Sequence, residues 1–128
     1  MIFLIQKFFE TLEIIGLSNT GKKKAGKFSL GMKQRLGIGM AILTDPQFLI
    51  LDEPTNGLDP DGINELLDLI RSLKAEGMTI LVSSHQLLEI SKVADHILIL
   101  DKGKIQYDGE NKNVDSLERL FFKIVHGG

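Results

Sequence analysis

Hydrophobic residues follow two alternating rhythms along this chain. Between residues 59 and 77, DPDGINELLDLIRSLKAEG sets Ile63, Leu66, Leu67, Ile70 and Leu73 three or four positions apart, the spacing of one helical face. Asp59 supplies an N-cap, Pro60 a first helical residue and Gly77 a stop. On either side the apolar positions run unbroken, as QFLILD at 47–52 and MTILVS at 78–83, each the length of a buried strand. The same reading predicts a helix over 3–15 with Phe8, Leu12 and Ile15 on one face and Gly16 as its stop, and another from about 31 to 43. QLLEISKV forms a short helix, HILILD at 96–101 a third strand, and DKGK a tight turn into KIQYDG, a hairpin. A last amphipathic helix carries Leu117, Leu120, Phe121 and Ile124. Near-continuous apolar strands separated by helices predict an α/β fold, a largely parallel sheet covered on both faces and ending in a hairpin.

Composition narrows the classes. The chain has 128 residues, 43% of them hydrophobic, which is one domain's worth of globular protein with a core to bury. A net charge of −2 argues against nucleic acid as the main partner. Lys22, Lys23, Lys24, Lys27, Lys33 and Arg35 lie between Glu13 and Asp45 with no acid among them, a run that reads as a solvated loop. With no cysteine, disulfides and thiolate metal sites are excluded and a reducing compartment is compatible. The opening MIFLI meets Gln6 and Lys7 at once and makes a poor secretory signal. No apolar run approaches the ~18 residues of a membrane span, so the expectation is a soluble chain, or one that reaches a membrane through a partner.

Candidate chemistry collects at strand ends, where open α/β sheets bind their ligands. GLSNTGKKK at 16–24 fits the phosphate-loop spacing G-x-x-x-x-G-K through Gly16, Gly21 and Lys22, then puts Lys23 where Ser or Thr should hold magnesium. A phosphate loop follows a strand and opens a helix; this stretch follows a helix and reads as a connecting loop. FLILDEP delivers Asp52 and Glu53 together at the carboxyl end of a strand, which suits handling of a cation or a proton, although the pair could also simply begin a turn before Pro54. His85 follows the next strand and could be a capping or solvated residue. Asp59 and Ser29 each have a sufficient account as helix caps, and Gly37 and Gly39 as close-packing sites.

Order and spacing bind these signals together. FSLGMKQRLGIGMAILTDPQFLILDEPTNGLDP followed by TILVSSH resembles the second half of the ATP-binding subunit of ABC transporters, and MKQRLGIG is most similar to the group that exports bacitracin, lantibiotics and similar peptides. The resemblance implies the C-terminal part of a P-loop NTPase fold, with FSLGM as signature motif, FLILDE as Walker B, NGLD as the D-loop and SSH as the switch-histidine loop. It implies that Asp52 holds Mg2+ through water, that Glu53 acts as general base or orients the water attacking the γ-phosphate of ATP, and that His85 senses that phosphate. Ser29 and the Gly31 N–H would clasp the γ-phosphate of ATP held by a second ATPase subunit, with Asn56, Gly57 and Asp59 touching that partner. Leu30 and Met32 depart from the common Gly and Gln. The resemblance further implies a transmembrane permease partner and a cytoplasmic place at the membrane.

In that family the phosphate loop lies well before the signature motif, yet only 28 residues precede Ser29. Residues 1–128 are therefore expected to form a partial nucleotide-binding domain without its N-terminal phosphate-loop half: a truncated product, a pseudogene remnant or an excised piece, inactive by itself. The phosphate-loop strand of the family would lie between residues 79–83 and 96–101, so two apolar sheet edges are expected to be left open. Two alternatives stand beside this reading. One is an inactive fragment that docks on an intact ATPase through its signature face. The other is an unrelated phosphoryl-transfer enzyme using Lys22, which requires a strand before Gly16. DNA-repair ATPases with a similar signature carry long coiled-coil insertions that are missing here.

Overall fold

The computed structural model describes residues 2–18, 25–111 and 114–127. It divides into two compact units, Met1–Ser83 and Ser84–Gly128.

The first unit runs α1 (Ile2–Ile14), a 3-10 turn (Ala25–Lys27), α2 (Leu30–Ile42), β1 (Phe48–Asp52), α3 (Pro60–Ala75) and β2 (Thr79–Ser83). Helix α3 is specified at both ends as its sequence predicts. Asp59, in an extended conformation, accepts from the Gly62 N–H at 2.7 Å, and Pro60 opens the helix. Beyond the C-cap, Gly77 takes φ +94, a left-handed value that glycine adopts without strain. Leu66, Leu67, Ile70 and Leu73 are buried as expected. Leu69 is buried too, because α3 embeds more of its circumference than a single stripe. Ile15, Leu17, Ile38, Ile42 and Leu49 are the other buried hydrophobic residues of this unit among those described. Of the two helix glycines, Gly39 is a close-packing site, since an added Cβ would stand 2.6 Å from Ile15 Cδ1, whereas Gly37 has open space beside it.

Strands β1 and β2 pair in parallel, with Phe48, Ile50 and Asp52 opposite Thr79, Leu81 and Ser83. Among the described residues of this unit, one face of the strand pair is buried and the other is open. Alternate strand residues point to opposite faces; Leu49 is buried on one, while Phe48, Ile50 and Leu81 are about half exposed or more on the other. The unbroken apolar run at 47–52 reflects two apolar faces, of which the described residues of the unit bury one. The alternative that uses Lys22 is also overturned. Helix α1 runs to Ile14 where that reading needs a strand; Lys22, with the rest of 19–24, lies outside the described residues.

The second unit comprises α4 (Leu87–Ser91), β3 (His96–Asp101), β4 (Lys104–Glu110) and α5 (Val114–His126). Strands β3 and β4 form the expected antiparallel hairpin, with an irregularity between Ile99 and Leu100. Lys102 and Gly103, at φ 50 and 76, make the two-residue turn whose twist suits a hairpin. Ile97, Ile99 and Leu117 are its buried centre, with Ile90, Tyr107, Leu120, Phe121 and Ile124 packed around them. Asn111 donates from Nδ2 to the carbonyls of Ser91 and Ala94, both at 2.8 Å, and so joins the end of β4 to the end of α4. Each sheet has two strands, so every strand has an unpaired edge among the described residues.

Candidate functional site

The parallel register of β1 and β2 brings Asp52 beside Ser83. Ser83 Oγ donates to Asp52 Oδ1 at 2.5 Å and accepts from the Glu53 N–H at 2.9 Å. The Glu53 N–H also reaches the Ser83 carbonyl, at 3.0 Å. One serine thus holds both acidic positions where the strands end. Glu53 has φ 44, in the left-handed region that a side chain enters only at a cost of about 1–3 kcal/mol. Pro54, which follows and is buried, has no N–H to extend the strand pairing. Both acids are exposed.

The turn that follows is built by its own backbone. Asn56 N–H donates to the Glu53 carbonyl at 3.2 Å and Leu58 N–H to the Thr55 carbonyl at 3.1 Å, and Gly57 takes φ +79. Asp59 then caps α3. Ser29 caps α2 in the same way, its Oγ accepting from the Met32 N–H at 3.2 Å. Leu30 Cδ2 lies 3.1 Å from where a Cβ on Gly57 would stand, and Leu58 Cδ2 3.9 Å from the corresponding point on Gly31. The segment around Ser29 and Gly31 therefore abuts the turn that carries Asn56, Gly57 and Asp59. His85 belongs to the second unit, where it is exposed.

Ser83, which the sequence reading named only within SSH, is the further residue that the structure places at Asp52 and Glu53. It ends the strand that follows in sequence the one ending in Asp52, and once the two pair in parallel their carboxyl ends align. The assignment rests on a register that spans 31 residues.

No three His, Asp or Glu side chains gather to hold a metal among the described residues. Asp52, exposed and with one oxygen engaged by Ser83, fits a magnesium ion that keeps most of its shell as water and phosphate oxygens and takes a single carboxylate from the protein.

Two acids at the carboxyl end of one strand of a parallel pair lie where open α/β sheets bind their ligands and suit the handling of a cation or a proton. Comparison with known proteins narrows the class. A family model described as "AAA domain, putative AbiEii toxin, Type IV TA system" matches residues 8–91. The lantibiotic transport ATP-binding protein SrtF of Streptococcus pyogenes is 52% identical over 110 residues, covering 86% of this chain and 48% of that protein. The bacitracin transport ATP-binding protein BcrA of Bacillus licheniformis is 59% identical over 97 residues, covering 75% of this chain and 32% of the relative. A nucleotide-free ATP-binding cassette from an ABC transporter superposes with a TM-score of 0.85 at 28% identity, covering 96% of this chain and 49% of that one. The chain belongs to the family that this AAA-domain model describes, with a P-loop NTPase fold, and within it is similar to the ATP-binding proteins of ABC transporters. It spans about half the length of SrtF and of the solved cassette, and less of BcrA.

Proposed function

We propose that residues 1–128 are part of the ATP-binding domain of an ABC transporter that exports peptide antibiotics or related compounds, and that the residues gripping the β- and γ-phosphates come from sequence outside this stretch. The observation that supports it best is the Asp52–Ser83–Glu53 arrangement at the ends of two parallel strands. Similarity to SrtF and BcrA supports the export of lantibiotic- or bacitracin-like compounds.

In this reading Asp52 anchors magnesium through water, held at one oxygen by Ser83. The bound ion would neutralise phosphate charge. Glu53 accepts the proton of, or orients, the water that attacks the γ-phosphate, and its exposed position at the strand end leaves it open to solvent. His85 is, by the family resemblance, the residue that would sense a γ-phosphate. Ser29 and the Gly31 N–H, at a helix N-terminus that favours anions, clasp ATP bound to a second ATPase subunit, and Asn56, Gly57 and Asp59 touch that subunit. A transmembrane permease is the remaining partner and brings the assembly to the cytoplasmic face of the membrane. Among the described residues no helix is long and apolar enough to cross the membrane itself.

The test fuses residues 28–128 behind the N-terminal half of a close relative. Glu53→Gln removes the proton acceptor and keeps its shape, so hydrolysis should fall ~10²–10⁴-fold, the usual worth of a general base, while ATP binding survives. The variant should accumulate as an ATP-dependent dimer on size exclusion. Ser29→Arg should abolish that dimer and leave ATP on the fusion's own phosphate loop. Unfused residues 1–128, lacking the main phosphate-binding electrostatics, should bind MgATP weakly without turnover. A Glu53→Gln fusion that hydrolyses normally, or stays monomeric with ATP bound, refutes the assignment.

A further inference from the structure

Two segments of this chain proposed above to face a partner subunit are far apart in sequence: the N-terminus of α2, with Ser29 and Gly31, and the turn Asn56–Asp59. Their side chains interleave. Leu30 reaches over Gly57, whose φ of +79 presents bare backbone, and Leu58 reaches over Gly31. A Cβ on Gly57 would stand 3.1 Å from Leu30 Cδ2, closer than side chains ordinarily pack, whereas one on Gly31 would meet Leu58 Cδ2 at an ordinary contact distance of 3.9 Å. Beyond this contact Arg35 of α2 pairs with Glu65 of α3 at 3.3 Å, so the two helices are joined a second time. Leu30 stands where the common family signature has glycine, and it remains 49% exposed. A residue so exposed contributes little core burial, and the packing it does make is directed onto the turn.

We infer that Leu30 is a positioning residue: packed on Gly57, it fixes the N-terminus of α2 against the Asn56–Asp59 turn, so that the two segments offered to a partner subunit form one surface. This rests on the proposed function for its partner, but the coupling is a property of the chain alone.

The test is amide hydrogen exchange on the full 128-residue chain, without nucleotide. Leu30→Ala keeps a strong helix former at the first position of α2 and removes the isobutyl group from Gly57. Losing the buried half of that group corresponds to about tenfold in a local opening equilibrium. Exchange at Asn56 and Leu58, whose N–H groups hold the turn, should rise about tenfold, while Leu69 and Ile70 inside α3 stay unchanged. Leu30→Met, which can still cover Gly57, should restore the slow rates. Leu58→Ala should reciprocally speed exchange at Met32 and Lys33, whose N–H groups bond to Ser29. Unchanged rates at Asn56 and Leu58 in Leu30→Ala would overturn the inference. So would an equal rise throughout α3, which marks unfolding of the unit and not release of a contact, or failure of Met to restore the rates. Because no ATP is involved, a fusion that fails to dimerise would sink the ATPase reading and leave this result standing.

Discussion

Ser83 connects the two acids of the candidate site, and its removal should be felt at both. Ser83→Ala deletes the hydroxyl that donates to Asp52 at 2.5 Å and that accepts from the Glu53 N–H at 2.9 Å. A hydrogen bond to a charged group contributes about 1.5–3 kcal/mol; here both side chains are exposed, water replaces part of the loss, and about 1 kcal/mol is expected. The Glu53 N–H keeps its bond to the Ser83 carbonyl, so the turn is weakened and not released. The left-handed backbone at Glu53 costs about 1–3 kcal/mol, similar in size to what the two serine bonds return, and the strand end therefore stands close to balance. Urea unfolding followed by circular dichroism should show a lower midpoint at unchanged slope. Exchange at the Glu53 amide should quicken by about fivefold. Ser83→Thr keeps the hydroxyl and should behave as wild type. Glu53→Gly relieves the backbone strain, so it should recover part of the lost stability when combined with Ser83→Ala. An unchanged midpoint together with unchanged Glu53 exchange in Ser83→Ala would refute the view that this serine holds the site.

Neighbouring residues on opposite faces of β1 should respond oppositely: Leu49→Ala, in the core, should cost about 2–5 kcal/mol, whereas Ile50→Thr, 64% exposed, should stay within about 0.5 kcal/mol. Comparable losses in denaturation experiments would mean that the open face is covered. Asn111→Ala removes both bonds to the end of α4 and should destabilise the second unit by about 1–3 kcal/mol. Tyr107, the one tyrosine of the chain, packs in that unit, and its fluorescence should report the earlier transition.

What could be read from the sequence was local. Asp59, Pro60 and Gly77 specify α3 because a cap, a fixed φ and a left-handed stop act within a few residues of where they stand. Lys102 and Gly103 mark the hairpin for the same reason. Ser83 escaped because its role depends on the register between two strands, and the left-handed turn at Glu53 because nothing in a glutamate announces positive φ. The open face of β1 and β2 escaped for a different reason. An apolar run records that both faces of a strand prefer burial, not which residues provide it, so Phe48, Ile50 and Leu81 read as core although the described unit leaves them exposed. The division at Ser83 and Ser84 follows no Gly- or Pro-rich linker that a composition scan would find.

The departures at Leu30 and Met32 bear on whether α2 can still receive a phosphate, and the geometry separates what they change from what they leave. The first N–H groups of a helix have no carbonyl of their own helix to meet. In α2 the Met32 N–H is taken by Ser29 Oγ and the Lys33 N–H by the Ser29 carbonyl, which leaves those of Leu30 and Gly31 at the tip. These donors belong to the backbone and are the same whatever side chains stand at 30 and 32. What the side chains do control is where the tip stands, since Leu30 leans on Gly57 and Leu58 on Gly31. Anion binding at this helix end should therefore tolerate Met32→Gln and respond to changes that shift Leu30 or Leu58, an order opposite to the one expected if the signature acted through side-chain contacts to the phosphate.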